Sequence, residues 1–409
     1  MVYFFTGHDA HQQDRIVQRA DYWGNRGVQG SQYAGRYAPD GFLRNDHGHF
    51  WMHSGFGMFR VGWILPLTDE FVIGTDVRPT NGTGNPGYPV GNDWLEAGYL
   101  SGVTYNRRIV AYVSPKSPPS EPYDQIKFFR GRTNTNFDYL SWPSEPSTPL
   151  GNTGSSLDGS NFFQYGAWNN WEILFRNGGN TEVWKEGVKK WEGALATLGG
   201  FNRGTLCHNR FGFDGFTWDN LYIGSERLGP CRAAAAFPTA DYVSGWVPNS
   251  GTNRYSRVYD SSPVNHNFGK PDGDTTYIRS TSSGDEVLFS MERLMPFGSI
   301  YAVQITAFIR AEGTDGSFKF VYEDPNATKG TTAAQTVSAA YNRDGYVWQG
   351  FREIWNVDPV SGLAWTDERL LEYKWGLRNE LNIPIRCTQL FVERLSAVGG
   401  GAFSITRAY

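Results

Sequence analysis

The sequence predicts an all-β protein made of two consecutive antiparallel β-sandwich domains, with one short helix near the C-terminus. Three observations carry that expectation. Aromatic residues make up 16% of the chain beside 49 glycines and 21 prolines, the mixture that strands joined by tight turns require. Runs of Ala, Leu, Glu and Lys long enough for amphipathic helices are nearly absent. Apolar residues repeat with a period of two in one segment after another, as half-buried strands demand. The 409 residues exceed what one hydrophobic core usually organises, and this length favours two or three domains.

The elements follow in chain order. Phe59, Val61, Trp63 and Leu65 alternate with Arg60, Gly62 and Ile64, and Phe71, Ile73, Thr75 and Val77 with Val72, Gly74 and Asp76. Arg107, Ile109, Ala111 and Val113 repeat the pattern around Arg108, Val110 and Tyr112. Turn-rich stretches at 81–87 and 114–122 separate these strands. Trp171, Ile173 and Phe175 face one way, with Glu172 and Arg176 on the other side. The runs at 183–185 and 188–191 flank Glu186-Gly187 and read as a tight hairpin. A strand over 213–224 closes a first domain, residues 1–228, and residues 229–236 read as a linker. In the second domain, 237–409, Ile300 to Ile309 is apolar on both faces and reads as a central strand. Further strands are expected at 318–322, 351–357 and 385–394. Thr366 is placed to cap one helix, Asp367 and Glu368 suit its N-terminal dipole, Leu371 and Trp375 share a face, and Gly376 would end it.

Charge and cysteine content narrow the function. The net charge is −4, and no block of five Lys or Arg residues occurs, so a nucleic-acid partner has no electrostatic support. No apolar run approaches the length that crosses a bilayer, so no membrane partner is expected. The opening residues lack the basic start and apolar stretch of a signal peptide. Cys207, Cys231 and Cys387 cannot pair completely, which fits synthesis in a reducing cytoplasm with buried free thiols.

Several motifs carry a resemblance. Met1-Val-Tyr-Phe-Phe-Thr-Gly-His-Asp, the strand at 171–175 with the hairpin at 183–191, and Trp218-Asp-Asn-Leu-Tyr-Ile223 stand in that order. Phe237-Pro-Thr-Ala-Asp241, Trp246, Asp272-Gly-Asp-Thr-Thr-Tyr-Ile278 and Trp365-Thr366 with Gly376-Leu-Arg378 follow. This arrangement resembles tailed-bacteriophage virion structural proteins with an N-terminal concanavalin A-like (laminin-G-like) jelly-roll domain; in the opening strand His8 stands where that group has an aromatic. The resemblance covers nearly the whole chain. It implies jelly-roll sandwiches, synthesis in a host cytoplasm, location in the virion and homo-oligomeric assembly with other capsid or tail proteins.

Retaining glycosidases on a concanavalin-like fold set two carboxylates about 5 Å apart, commonly as Glu-x-Asp-x-x-Glu on one strand face. No such run occurs; Asp285-Glu286 and Glu121-x-x-Asp124 are the nearest clusters and have the wrong spacing, so no enzyme is expected. His47, His49 and His53 would project from one face of an extended strand, a route to zinc, but a fourth ligand is missing and a surface strand with polar imidazoles is the favoured reading. No cofactor is required. Calcium is the ion that Asp158-Gly-Ser-Asn161 and Asp214-Gly215 would take, although Asp-Gly is also a common turn dipeptide, and the same holds for Asp272-Gly-Asp274. Trp168, Trp184 and Trp191 are candidates to stack on a sugar, against the alternative of core or interface anchors. The sequence therefore points first to a structural virion component (capsid decoration, neck or tail-associated). A binding module for a host-surface glycan or receptor comes second, and a polysaccharide-degrading enzyme third.

Overall fold

The computed structural model describes residues 1–6, 50–53, 56–80, 112–115, 127–131, 137–141, 169–176, 179–194, 201–211, 215–259, 273–294, 298–341 and 347–398. These fall into two compact units that divide between Gly229 and Pro230. The protein is all-β: among the described residues every strand pair is antiparallel, and the helical elements are one short α-helix and one 3-10 turn.

The first unit contains β1 (Val2–Thr6), β2 (Phe50–His53), β3 (Phe56–Thr68), β4 (Glu70–Thr80), β5 (Tyr112–Pro115) and β6 (Lys127–Gly131). It continues with β7 (Phe137–Ser141), β8 (Asn169–Arg176), β9 (Asn180–Lys185), β10 (Val188–Ala194), β11 (Phe201–Phe211) and β12 (Gly215–Gly224). One sheet runs β1-β12-β4-β8-β9-β10, with β2 also on β12; the other runs β3-β11-β5-β6-β7. Successive strands change sheet: β3 pairs with β11 in one, and their continuations β4 and β12 pair in the other. A single two-stranded ribbon thus bends from sheet to sheet, the construction of a jelly roll. Thr68 fixes one corner, its hydroxyl donating to the Glu70 carbonyl (2.6 Å) and accepting from the Glu70 N–H (3.2 Å).

Period-two alternation builds the core of this unit. Phe71 lies opposite Phe175, Ile73 opposite Ile173 and Thr75 opposite Trp171, all buried. The Phe71 and Phe175 rings stack with centroids 4.9 Å apart. The intervening positions Gly74, Asp76, Asn170 and Glu172 point to the other side of the same sheet. The β9–β10 hairpin turns at Glu186 and Gly187, whose φ values of 51° and 74° are those of the two-residue turn that matches strand twist.

The second unit contains β13 (Cys231–Ala236), β14 (Pro238–Ser244), β15 (Val247–Pro248), β16 (Ile278–Ser280), β17 (Glu286–Met291) and β18 (Ile300–Ala311). After these come β19 (Gly316–Glu323), β20 (Lys329–Thr331), β21 (Gln335–Val337), β22 (Gln349–Trp355), helix α1 (Asp367–Glu372), β23 (Lys374–Asn379) and β24 (Ile385–Ala397). One sheet runs β15-β16-β24-β18-β22 with β13 on β24, the other β14-β17-β23-β19-β20 with β21 on β19. The pairs β16–β17, β18–β19 and β23–β24 each cross between the sheets, so β24 and β23 sit centrally in equivalent places. Val303, Ile305, Ala307 and Ile309 meet Phe318, Phe320, Trp375 and Leu377 in the core. Tyr373 stacks on Trp375 at 5.2 Å, and Trp365 meets Tyr373 edge-on at 5.3 Å. Cys231 and Cys387 are buried, and the Cys387 thiol donates to the Gln389 carbonyl (3.3 Å).

Four expectations are corrected. The supposed linker 229–236 is largely strand β13, paired with β24 from Cys231 opposite Ala397 to Ala236 opposite Val392. Its alanines are poor strand formers in isolation, but small side chains fit a buried strand. Thr366 does cap α1, accepting from the Arg369 N–H at 3.3 Å, but the helix ends at Glu372. Gly376 is a residue of β23, not a helix terminator: a Cβ there would lie 1.7 Å from the Val287 carbonyl oxygen of the adjoining strand. Ser114 and Pro115, read as part of a turn, close β5 opposite Arg203 and Phe201.

Candidate functional site

His47, His49, Asp158, Asp214 and Trp168 lie outside the described residues, as do Glu121 and Asp124. His53 ends β2 opposite Gly215, and Trp191 lies in β10 opposite Val183; for both the backbone alone is described. Trp184 is placed in full. Its indole N–H donates to Glu182 Oε2 at 2.8 Å, and the Arg227 guanidinium lies 3.4 Å from the ring centroid. Arg227 thereby covers one face of the Trp184 ring. Among the described residues, no group of three or more His, Cys, Asp or Glu side chains is positioned to hold a metal ion.

Arg227 also guards Glu172, the most enclosed carboxylate among the described residues of the first unit. Glu172, with no exposed surface, accepts from Arg227 Nε (3.1 Å) and Nη2 (2.7 Å) on one oxygen. The other oxygen accepts from the Leu228 N–H (3.0 Å), the Gly229 N–H (2.8 Å) and the Tyr222 hydroxyl. Tyr222 reaches it because Gly74 has no side chain: a Cβ there would stand 1.9 Å from the tyrosine ring. One row along, Asp76 accepts from Asn170 Nδ2 (3.1 Å) and Asn220 Nδ2 (2.7 Å), all three residues buried. Asn220 holds φ at 53°, where the ladder between β12 and β4 shifts register. Both carboxylates are thus engaged on each oxygen by donors. Each carboxylate is thereby tied into the fold, where its hydrogen bonds hold separate chain segments together. Of the other pair considered, Asp285 accepts from the Ser280 hydroxyl (2.9 Å), while Glu286, at the start of β17, bonds Lys329 (2.6 Å).

In the second unit Asp358 is fully buried. It accepts from the Tyr373 hydroxyl, from Arg369 Nε (2.6 Å) and from the Val360 and Ser361 N–H groups (2.8 and 3.2 Å). Arg369 also reaches Asp324 (3.4 Å), so one helical residue ties down two loops. Burial alone would raise the Asp358 pKa, but the hydrogen bonds from Tyr373 and the two backbone N–H groups outweigh it and hold it at about 2, against an ordinary 3.8. The Tyr373 hydroxyl is pushed up, by burial first and by the Asp358 bond second. Because the folded-state pKa of Asp358 lies below the unfolded one, its contribution is complete above about pH 4 and is lost as pH falls towards 2. The expected size is roughly 2 kcal/mol. Acid titration of wild type against Asp358→Asn checks this: the stability difference between the two should shrink by about that amount as pH falls through the window, and a difference that stays constant would show that Asp358 does not supply it.

On the side of the second sheet away from the core, Tyr242 carries an exposed ring. Register shifts between Asp241 and Val243, a bulge that redirects the intervening side chain. The ring runs back over the sheet: its hydroxyl donates to Glu323 Oε1 at 2.7 Å, and Lys374 Nζ stands 5.6 Å from its centroid. Glu323 lies opposite both Lys374 and Lys329, and Lys329 bonds Glu286, so charged groups surround the ring. Tyr242 remains 51% exposed. The hydrogen bond to Glu323 raises its hydroxyl pKa.

No family model matches this chain, and no curated protein matches it. Solved structures do resemble it. A sialidase matches at 10% identity and TM-score 0.31 over 55% of this chain, which spans only 19% of the sialidase chain. The N-terminal CBM22-1-CBM22-2 tandem domain from Paenibacillus barcinonensis Xyn10C matches at 8% identity and TM-score 0.25, over 96% of this chain and 97% of that one. Caenorhabditis elegans galectin LEC-6 matches at 10% identity and TM-score 0.24, over 40% of this chain and 95% of that one.

Sequence reasoning missed Glu172, Asp358 and Tyr242. A lone Glu at a strand position that alternates outward gives no sign that the chain will fold back over it. The Pro-x-x-Asp…Trp motif was visible, and its physical meaning is now plain. Asp241 accepts from the Arg254 and Tyr255 N–H groups (3.1 and 2.8 Å), and Arg254 Nε donates to the Trp246 carbonyl (2.6 Å). The Trp246 indole N–H in turn donates to the Asp285 carbonyl (3.1 Å).

Proposed function

We propose that this protein is a non-enzymatic glycan-binding β-sandwich protein, and that Tyr242 is its stacking platform. The observation that carries the reading is the exposed Tyr242 ring held over a sheet face by Glu323 and Lys374. A sugar presents an apolar face that packs on an aromatic ring, while its hydroxyls need donors and acceptors at the rim. Lys374, Lys329, Glu286 and Glu323 supply both kinds. A ring already fixed at its hydroxyl loses little freedom on binding, which favours affinity. Saturation of Glu172 and Asp76 by donors supports a binding role over catalysis.

Affinity electrophoresis of the full chain through gels containing defined polysaccharides tests this. Tyr242→Ala is expected to weaken retention about tenfold, and Tyr242→Phe, which keeps the ring, by much less. If no polysaccharide retards the wild type, or Tyr242→Ala migrates like wild type on one that does, the reading fails.

The order of the sequence motifs supports a second element of the reading, that the protein sits in a tailed-phage virion as a homo-oligomer beside capsid or tail proteins. Antibody detection of the chain in purified particles, with light scattering of the free protein, tests that placement. Absence from the particles would remove it and leave the glycan reading standing.

A further inference from the structure

We infer that the row Arg279–Arg386–Arg310 in the second unit is a binding site for the carboxylates of an acidic polysaccharide, and that Asp274 holds it closed in the free protein. Arg386 on β24 lies directly opposite Arg279 on β16 and opposite Arg310 on β18, so three guanidiniums stand side by side across adjacent strands. Strand spacing puts them roughly 5 Å apart in backbone position. Like charges opposite one another destabilise a sheet, and two carboxylates offset the cost here. Glu312 takes Arg279 through Nε and Nη2 (2.9 Å each) and also Arg386 Nε. Asp274 takes Arg386 Nη1 on one oxygen and Arg310 Nη1 on the other, both at 3.0 Å. Three positive charges against two negative leave one positive charge at the surface.

The two acids differ in kind. Glu312 is the first residue past β18, its N–H held by the Pro384 carbonyl (2.9 Å) and its side chain 24% exposed; burial would raise its pKa, but the bonds from Arg279 and Arg386 outweigh that and lower it. Asp274 is 54% exposed and comes from a turn outside the row. The turn is pinned at its base, where the Thr388 hydroxyl is 3.0 Å from the Gly273 carbonyl and 2.9 Å from that of Thr276. Arg386 is held flat by Tyr277, its guanidinium 4.5 Å from the ring centroid. The pair Arg310–Arg386 is therefore a preformed carboxylate clamp, with the protein's own Asp274 occupying it. A polymer bearing a carboxylate on successive sugars would displace one exposed aspartate and engage the row at several points, gaining by multivalency. The choice of a polysaccharide rests on the glycan reading above, but the site shares no residue with Tyr242.

The test uses the full chain in affinity gels containing polygalacturonate or uncharged dextran, each at low and high salt. Wild type should be retarded by polygalacturonate at low salt and released at high salt. Arg310→Gln, which breaks only the Asp274 bond, should weaken retardation about tenfold, and Asp274→Asn, which opens the clamp, should strengthen it about tenfold. A purely structural ladder would instead lower the melting temperature of Asp274→Asn and leave its retardation unchanged, and that result would overturn the inference. So would an Arg310→Gln variant that binds like wild type. Polygalacturonate binding that survives Tyr242→Ala but not Arg310→Gln would uphold the arginine site while removing Tyr242 as the platform. Binding of neutral polymer alone would do the reverse.

Discussion

Replacing Glu172 with alanine is expected to destabilise the first unit by about 3–5 kcal/mol, the range for breaking a buried charge network from one side. The side chain has no solvent exposure, and the Arg227 guanidinium would lose its carboxylate while remaining partly enclosed. The Gly229 N–H would lose its acceptor, and Tyr222, lying across Gly74, would lose the partner at its hydroxyl. Arg227 also packs on Trp184, so the change should reach the tryptophan and alter its fluorescence. Glu172→Gln keeps the shape but not the charge and should fall between the two. Guanidinium denaturation of the full chain, followed by tryptophan emission, measures this. A loss under about 1 kcal/mol for the alanine variant would mean that the segment at 227–229 is held by other contacts.

Gly376→Ala is expected to cost about 3 kcal/mol or more in the second unit, through steric conflict and not through conformational entropy. The added methyl would meet backbone, with the Val287 oxygen at 1.7 Å and the Leu288 Cα at 2.9 Å, so no side chain can rotate away. β17 and β23 would have to part where Val287 faces Leu377 and Phe289 faces Trp375, opening the core around Trp375. Gly362→Asn provides a contrast: its φ of 71° suits asparagine, and nothing lies within 4 Å, so the expected loss is under about 1 kcal/mol. Thermal melts of the two variants should therefore separate clearly. Equal shifts would show that the sheet absorbs the methyl by sliding.

Local physics was legible in the sequence wherever a short stretch contains its own reason. The Glu186-Gly187 hairpin needs only a residue pair that accepts positive φ between two alternating runs. The start of α1 needs only Thr366 ahead of two acids. The end of that helix was misjudged because glycine has two uses: it can stop a helix, or it can let strands approach. The neighbour that decides between them, Val287, is remote in the chain. Strand β13 was missed because its composition argues against a strand, and its place is fixed by pairing along β24.

The sequence by itself determined the all-β class, the alternation that separates core from outer face, and the main strands around the two cores. Only the tertiary structure decided what the outer faces do. The row Arg279–Arg386–Arg310 exists because three separate strands align in register, and Glu172 becomes a buried anchor because the chain folds back at Arg227 to Gly229. The Tyr242 ring reaches Glu323 because one bulge turns it over the sheet. The physical reason is common to all three. Periodicity reports which side of its own strand a residue occupies, whereas the chemistry of a site depends on which distant side chains share that side. Long-range register sets that, and no local pattern contains it.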